Sequence, residues 1–213
     1  TDAGSDADTG TPLATDITGE TYAVDLSTAT WEEPAGIGAF LGGTLDAKIL
    51  IGVEDASETI DFLLAIPDGD SLDQDYCIPT IDFEPISFAS SPFFEIGPVD
   101  LPINLLSYSL TIYGMNIGGT FQADGSGMNN ISISGALDLR DLEDALGGLS
   151  GGVVSNAEGA CDLIEILGVS CTSCPSDDEE LCLSVSLTDV EATATGTELE
   201  VVEEGVVHPE CEE

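Results

Sequence analysis

Two segments near the middle of the chain alternate between apolar and polar residues, and they constrain the fold more than any other feature. Residues 106–113 and 130–139 have apolar side chains at every second position, so each would carry one apolar row as a β-strand. The intervening segment 123–127, Ala-Asp-Gly-Ser-Gly, contains residues that tolerate the positive φ angles of a tight reversal. We therefore predict that the two strands pair antiparallel and bury one face. The pattern indicates a scaffold and no chemistry.

The remaining strand signals extend this sheet along the chain. Alternating or continuous apolar runs predict strands at residues 22–26, 48–53, 60–66, 183–187 and 199–201. The run 48–53 is apolar at nearly every position, which is typical of a strand covered on both faces. Residues 81–103 are interrupted by prolines, and because proline cannot donate to a ladder we expect short edge strands there. The predicted fold class is mainly β, a single antiparallel sandwich or barrel-like domain.

One or two short helices are expected to accompany the sheet. Asp141 can cap a helix with apolar residues at helical spacing up to Leu149, and Ser155 or Asn156 can cap a second that ends at Gly168. Both are short and one-sided, so they should lie on the sheet or plug the end of a barrel.

The glycine-rich segment 36–43 invites comparison with a phosphate-binding loop. It lacks the Gly-Lys-Ser/Thr ending of that motif. We expect instead a backbone packed closely under the sheet.

The charge balance decides which partners are plausible. The chain has 42 acidic residues against two basic ones, Lys48 and Arg140, for a formal net charge of −40. A hydrophobic fraction of 42% supports a core, so we expect a folded domain with an acidic surface and not a disordered chain. Binding to nucleic acid or to an anionic membrane needs clustered Lys and Arg, which this chain lacks. Salt or bound divalent cations would relieve the self-repulsion, which favours a saline or calcium-containing exterior.

The first 19 residues have no apolar period and are rich in Asp, Gly, Ser and Thr. We predict that residues 1–19 form a disordered acidic linker, followed by a single disulfide-stabilised β-rich domain over residues 20–213. No apolar run approaches the roughly 18 to 20 residues of a transmembrane helix, and no signal peptide is present. We expect a mature secreted or cell-surface protein, with the linker either tethering the domain to a membrane or ending as a frayed terminus.

Six cysteines, an even number, predict three disulfides formed in an oxidising compartment. Cys171-x-x-Cys174, flanked by Cys161 and Cys182, could alternatively hold zinc or an iron–sulfur cluster. A strong zinc signal would be two such pairs, and only one exists, so we favour disulfides. The sequence does not decide among the 15 possible pairings. Our working hypothesis pairs Cys77 with Cys211, Cys161 with Cys171, and Cys174 with Cys182.

The segment 68–75 holds the densest set of oxygen ligands in the chain. Asp68, Asp70, Asp73 and Asp75 lie close together on it, and calcium takes six to eight oxygens at about 2.3 to 2.6 Å. The spacing is not that of an EF-hand, because the expected Gly and the closing Glu are missing. The alternatives are a calcium site formed by these four carboxylates and a solvated acidic turn. No other cofactor is expected.

The second half of the chain contains several short motifs, at residues 118–125, 137–140, 161–163, 171–174 and 181–183. Together they resemble a group of uncharacterised bacterial secreted proteins or lipoproteins. The resemblance implies a surface location and no known activity. The chain has no lipobox, so it departs from the lipoproteins at that point.

Residues that could carry catalysis are few. His208, the only histidine, lies in an acidic tail, so no Ser-His-Asp or Cys-His arrangement is expected around it. Paired cysteines leave no thiol nucleophile. Pairs of carboxylates remain, of the kind that glycosidases use, but 42 acidic residues single out no pair.

We therefore predict a non-catalytic extracellular or cell-surface module of a bacterium, with a role in adhesion, assembly or structure and with other surface proteins as partners. A first alternative is a carrier that encloses a lipid or other apolar small molecule in a barrel-like pocket, with the phenylalanines of residues 81–103 as lining instead of core. A second is a carboxylate-dependent hydrolase. An apolar cavity would favour the carrier, a cleft with two facing carboxylates the hydrolase, and a filled core the module.

Overall fold

The computed structural model describes residues 13, 15–34, 48–69, 71–105, 108–141, 156–166 and 168–211. Its strands belong to one antiparallel sheet that curls into a half-barrel, so the predicted mainly β, barrel-like fold is confirmed. Apart from a short 3₁₀ helix at Leu26–Thr28, the described elements in chain order are β1 (Thr21–Asp25), β2 (Thr30–Glu33), β3 (Lys48–Ala56), β4 (Thr59–Ala65), β5 (Ile81–Asp82), β6 (Ile86–Ser87), β7 (Phe93–Leu105), β8 (Tyr108–Phe121), β9 (Gly127–Asp138), the helix α1 (Ala157–Ile166) and β10 (Cys182–Ala194).

The order of strands in the sheet is β5-β4-β3-β1-β10-β9-β8-β7, with β2 paired to β10 and β6 paired to β4. Strand β10 is 13 residues long and pairs with β9 along one edge and with β1 and β2 along the other. The sheet therefore consists of two antiparallel arrays, β4-β3-β1 and β9-β8-β7, joined by β10. The main apolar core lies on the concave face and draws residues from both arrays.

The predicted hairpin is present as β8 and β9, with Ile112 opposite Leu137, and the prediction of their pairing is confirmed. β8 continues to residue 121, beyond the predicted end at residue 113. Gly114 has a φ of 58°, and the register with β9 shifts across it. The inward row resumes at Met115, one position out of step, so the bulge hides the rest of the strand from a period-two pattern.

The turn of this hairpin anchors the N-terminal part of the chain. Gly125 has a φ of 73°, a conformation that favours glycine. Its carbonyl accepts a hydrogen bond of 3.1 Å from the Tyr22 hydroxyl on β1, and Ile17, which is 1% exposed, packs beside it. Ile17 belongs to the predicted linker 1–19, so the packed chain includes part of that segment. Residues 1–12 and 14 lie outside the described residues.

The proline-rich region contains short strands and one long one. β5 and β6 have two residues each, as expected, but residues 93–105 form a single strand, β7, so the expectation of short strands throughout is wrong there. β7 lies at the end of the sheet order. Pro98 falls in a register shift between Ile96 and Val99, where no ladder donor is needed, whereas Pro102 keeps its register opposite Thr111.

The predicted strand at residues 199–201 is wrong. The segment 197–211, which we call the C-terminal strap, is not part of the sheet and crosses its outer face. Leu199 packs on Leu50 and lies so close to Gly52 that a Cβ there would sit 3.0 Å from its side chain. The strap thereby covers the second face of β3, whose residues 49–53 are all buried, and the prediction of a strand covered on both faces is confirmed.

Helix α1 is the second of the two predicted helices. The side-chain oxygen of Asn156 caps it by accepting a hydrogen bond of 3.0 Å from the Gly159 N–H, and Ala157 and Ala160 are buried in the main core. The first predicted helix, apart from Asp141, and the glycine-rich segment 36–43 lie outside the described residues. None of the described helices has the length and apolar character needed to cross a membrane.

Candidate functional site

Aromatic side chains fill the concave interior of the half-barrel. The ring of Phe121 lies at the centre, and its centroid is 5.0 to 6.3 Å from those of Tyr22, Phe62, Phe88 and Phe94. All five are at most 7% exposed. Phe62 on β4 and Phe94 on β7 belong to strands near opposite ends of the sheet order, yet their ring centroids are 5.2 Å apart. Phe83 is buried as well, so the interpretation of Phe83, Phe88 and Phe94 as core is confirmed.

An open pocket of about 300 Å³ beside β4 and β5 is lined mainly by carboxylates, and we call it the acidic pocket. Partial burial raises the pKa of the Glu54 carboxyl, and the negative charges of Asp82 and Asp61 add to the effect. One carboxylate oxygen of Asp61 is buried without a hydrogen-bond partner in the described structure. A carboxyl group with a raised pKa can donate a proton, so this is where carboxylate chemistry is best placed. The carboxylates that line the pocket are Glu54, Asp61, Asp82 and Glu84.

The acidic pocket does not assemble a metal site. In the described part of the chain, the only group of three or more ligand atoms that lie within 4.8 Å of one another belongs to Asp138, Cys174 and Cys182. The two sulfurs of that group are bonded to each other, and the carboxylate is held by Arg140. That group is therefore structural.

The predicted calcium ligands lie on the loop between β4 and β5. The Asp68 N–H donates to the Asp73 carbonyl at 2.9 Å, and an Asp75 carboxylate oxygen accepts a bond of 2.8 Å from the Cys77 N–H. Asp68, Asp73 and Asp75 do not converge on one point by themselves, and Asp70 lies outside the described residues. The calcium site of these four residues stays a prediction.

All six cysteines form disulfides, in the pairs Cys77–Cys211, Cys161–Cys171 and Cys174–Cys182. The hypothesised pairing is confirmed, and no thiolate is left to hold zinc or an iron–sulfur cluster. The first pair spans 134 positions and ties the C-terminal strap to the end of the 68–75 loop. The other two span 10 and 8 positions around α1 and the start of β10.

The buried carboxylate of Asp138, at the end of β9, is held by Arg140. The Nε and Nη2 groups of Arg140 donate to both carboxylate oxygens at 2.6 to 3.0 Å, and Nη1 donates to Asp177. The hydrogen bonds from Arg140 lower the pKa of Asp138, whose side chain is 7% exposed. The cluster fastens the end of β9 to the loop closed by the Cys174–Cys182 disulfide. Sequence reasoning counted Arg140 only as a rare cation and missed this role.

His208 lies in the C-terminal strap and contacts Tyr76 and Glu200. Its ring stacks on Tyr76 with centroids 4.5 Å apart, and its Nε2 lies 3.5 Å from a carboxylate oxygen of Glu200. Nearby, the side-chain amide of Gln74 exchanges two hydrogen bonds, of 2.7 and 2.9 Å, with the backbone of Glu200. The stacking of His208 on Tyr76 therefore ties the strap to the loop between β4 and β5.

A second open pocket, of about 360 Å³, lies on the outer face of β7, β8 and β9, and we call it the convex trough. Gly118 lies on this face opposite Ser132, so no side chain covers the peptide backbone there. Ser132 and Ser134 are exposed and alternate with buried residues of β9, which places them on the outer face. The side chains that border the trough are Phe93, Glu95, Asn116, Thr120, Asn130, Ser132 and Ser134.

In comparisons with known proteins, no family model matches the chain. No curated protein and no solved structure matches it either. The resemblance to bacterial secreted proteins remains a proposal, and the function has to be inferred from the geometry of the chain.

Proposed function

We propose that this protein is a non-catalytic module that acts outside the cytoplasm of a bacterium, secreted or held at the cell surface, in adhesion, assembly or a structural role. The observation that carries the proposal is the filled interior. Five aromatic rings occupy the concave face, where a small barrel with a ligand would keep its cavity. A protein packed in this way meets its partners with its outer faces.

The covalent and electrostatic properties of the chain support an extracellular setting. Three disulfides are typical of proteins that fold in an oxidising compartment. A net charge of −40 favours a medium that supplies enough salt or divalent cation to screen it. Nucleic acids and anionic membranes are unsuitable partners for such a surface, which leaves neutral or cationic molecules, including other surface proteins.

The carrier alternative is less well supported. An apolar ligand inside the half-barrel would have to displace rings whose centroids lie within 6.3 Å of Phe121. Removing the contacts of one buried phenylalanine costs about 3 to 5 kcal/mol. A ligand would have to repay that cost before it gained any affinity.

The acidic pocket favours a carboxylate-dependent hydrolase as the second candidate. The raised pKa of Glu54, in a pocket that also holds Asp61, resembles the acid and base pairs of glycosidases. The pocket is open and Glu54 is exposed, so water is not kept away from it as it is in closed active sites. We therefore rank this candidate below the surface module.

The test uses purified, fluorescently labelled protein and cells of a strain that lacks its gene. We expect saturable binding to the cells or to their isolated envelopes, without release of soluble products. The Glu54→Gln, Asp61→Asn variant is the matched control and should bind like the wild type. Release of soluble products by the wild type that is lost in this variant would contradict the proposal and support the hydrolase.

A further inference from the structure

Strands β8 and β9 are almost free of charge in a chain that is otherwise strongly acidic. Acidic residues make up 42 of 213 positions, about one in five. At that frequency β8 and β9, with 14 and 12 residues, would hold about five of them. The only charged residue in either strand is Asp138, the last residue of β9, which is buried. The outer face of β8 and β9 is therefore a neutral area within an acidic surface.

Side chains over the convex trough carry hydrogen-bonding groups that the protein does not use. The hydroxyls of Thr120, Ser132 and Ser134 and the amide of Asn130 have no hydrogen-bond partner among the described residues. Hydroxyl and amide groups supply both donors and acceptors. The amide of Asn116 is fixed at the border of the trough because its nitrogen donates to the Gly114 carbonyl at 3.0 Å. The trough therefore offers a neutral set of donors and acceptors to an outside molecule.

These groups stand on a regular grid. Asn116 lies opposite Ser134, and Gly118 lies opposite Ser132. Neighbouring strands are about 4.8 Å apart and alternate residues along a strand about 6.6 Å apart, which is the scale of a single sugar ring. Asn130 has a φ of 51° beside a register shift, and such a bulge redirects a side chain out of the ladder. The grid thus has the amides of Asn116 and Asn130 at its two ends and Gly118 between them.

One aromatic ring stands beside the grid. Phe93 is 37% exposed and is the only aromatic among the exposed large hydrophobic side chains of the described residues. Its ring can pack against the C–H groups of a sugar while the hydroxyls of that sugar exchange hydrogen bonds with the strand side chains. An aromatic platform next to neutral polar groups therefore fits a polyhydroxylated ligand.

We infer that the convex trough binds a neutral polysaccharide. The net charge of −40 repels acidic glycans, and Glu95, the one carboxylate at the trough, is too little to hold a cation. An apolar peptide would find a single exposed apolar side chain, Phe93. The inference rests on the proposed function, since it names what the surface module binds.

The test measures binding of the purified full chain to four neutral polysaccharides, β-glucan, starch, mannan and galactan, with polygalacturonate as the acidic comparison. We expect at least one neutral chain to bind and polygalacturonate not to bind. Ser132→Val with Ser134→Val removes two hydroxyls at exposed strand positions, and Phe93→Ala removes the platform. Each should weaken binding at least tenfold. Thr193→Val, an exposed change on β10 outside the trough, is the matched control and should bind like the wild type.

Three results would overturn the inference: binding to none of the neutral polysaccharides, unchanged binding by the trough variants, or self-association that these variants abolish without any glycan binding. The last result would assign the trough to a second copy of the chain. A protein that binds cell envelopes but no polysaccharide refutes this inference alone. A protein that degrades the envelopes refutes the proposed function.

Discussion

Among single residues, Arg140 has the clearest energetic role. It is one of two basic residues in the chain, and its partner Asp138 is nearly inaccessible to water. A buried charge that loses its partner costs much more than the pair contributes, because water cannot replace the lost hydrogen bonds. We expect Arg140→Met to lower the melting temperature at pH 7 by on the order of 5 °C.

The pH dependence of this effect has a defined sign. Because the hydrogen bonds of Arg140 hold the pKa of Asp138 below its ordinary value, the stabilisation is complete above about pH 4 and is lost as the pH falls through the lowered pKa. The melting temperatures of the variant and the wild type should therefore differ strongly at pH 7 and only slightly at pH 3. The double variant Arg140→Met, Asp138→Asn removes both charges and should recover most of the loss. A double variant as unstable as the single one would mean that the Asp138 charge is not the cause.

Among the elements, the C-terminal strap is held by hydrogen bonds and a disulfide to the segment between β4 and β5. Val202 accepts a hydrogen bond of 3.0 Å from the Thr80 N–H and donates one of 3.0 Å to the Thr80 hydroxyl. The Cys77–Cys211 disulfide closes a loop of 134 positions, whereas Cys161–Cys171 closes one of 10. Because a cross-link lowers the entropy of the unfolded chain more when its loop is longer, replacing the first pair by serines should lower the free energy of unfolding by about 5 kcal/mol, and replacing the second by about 3 kcal/mol. Urea unfolding of the two double variants measures both, and an equal loss would contradict the loop-entropy account.

Some elements could be predicted from the sequence and others could not. The β8–β9 hairpin and the buried strand β3 were predictable because alternation and a continuous apolar run reflect burial directly. The strap was not, because Leu199 is only half-buried on the outer face of the sheet, and Val202 is buried while Val201 beside it is 52% exposed. The convex trough was equally hidden, since polar residues on an outer face show the same period whether or not they bind anything. The acidic pocket required the tertiary structure to select its carboxylates from 42.

At the scale of the whole molecule, the net charge of −40 decides the response to ions. Folding brings these charges closer together, so sodium chloride should raise the melting temperature gradually as the screening length falls to about 3 Å near 1 M.

The proposed calcium site at residues 68–75 predicts an additional rise of the melting temperature in millimolar calcium. This rise should saturate, since calcium would bind only the folded state. Asp70→Asn with Asp73→Asn should remove this increment and leave the sodium effect. If calcium adds nothing beyond matched ionic strength, the loop is a solvated turn.

Strand β10 is synthesised after all the other described strands, although it joins the two arrays of the sheet. Among the described strands, β10 alone pairs with both of the arrays β4-β3-β1 and β9-β8-β7, and it comprises residues 182–194. At about 5 to 20 residues per second of synthesis, this strand follows β1 by roughly 10 to 30 seconds. Until then β1 and β9 keep one edge each without a partner among the described strands. A chain that is still being synthesised therefore lacks the strand that joins its two arrays until most of its length has been made.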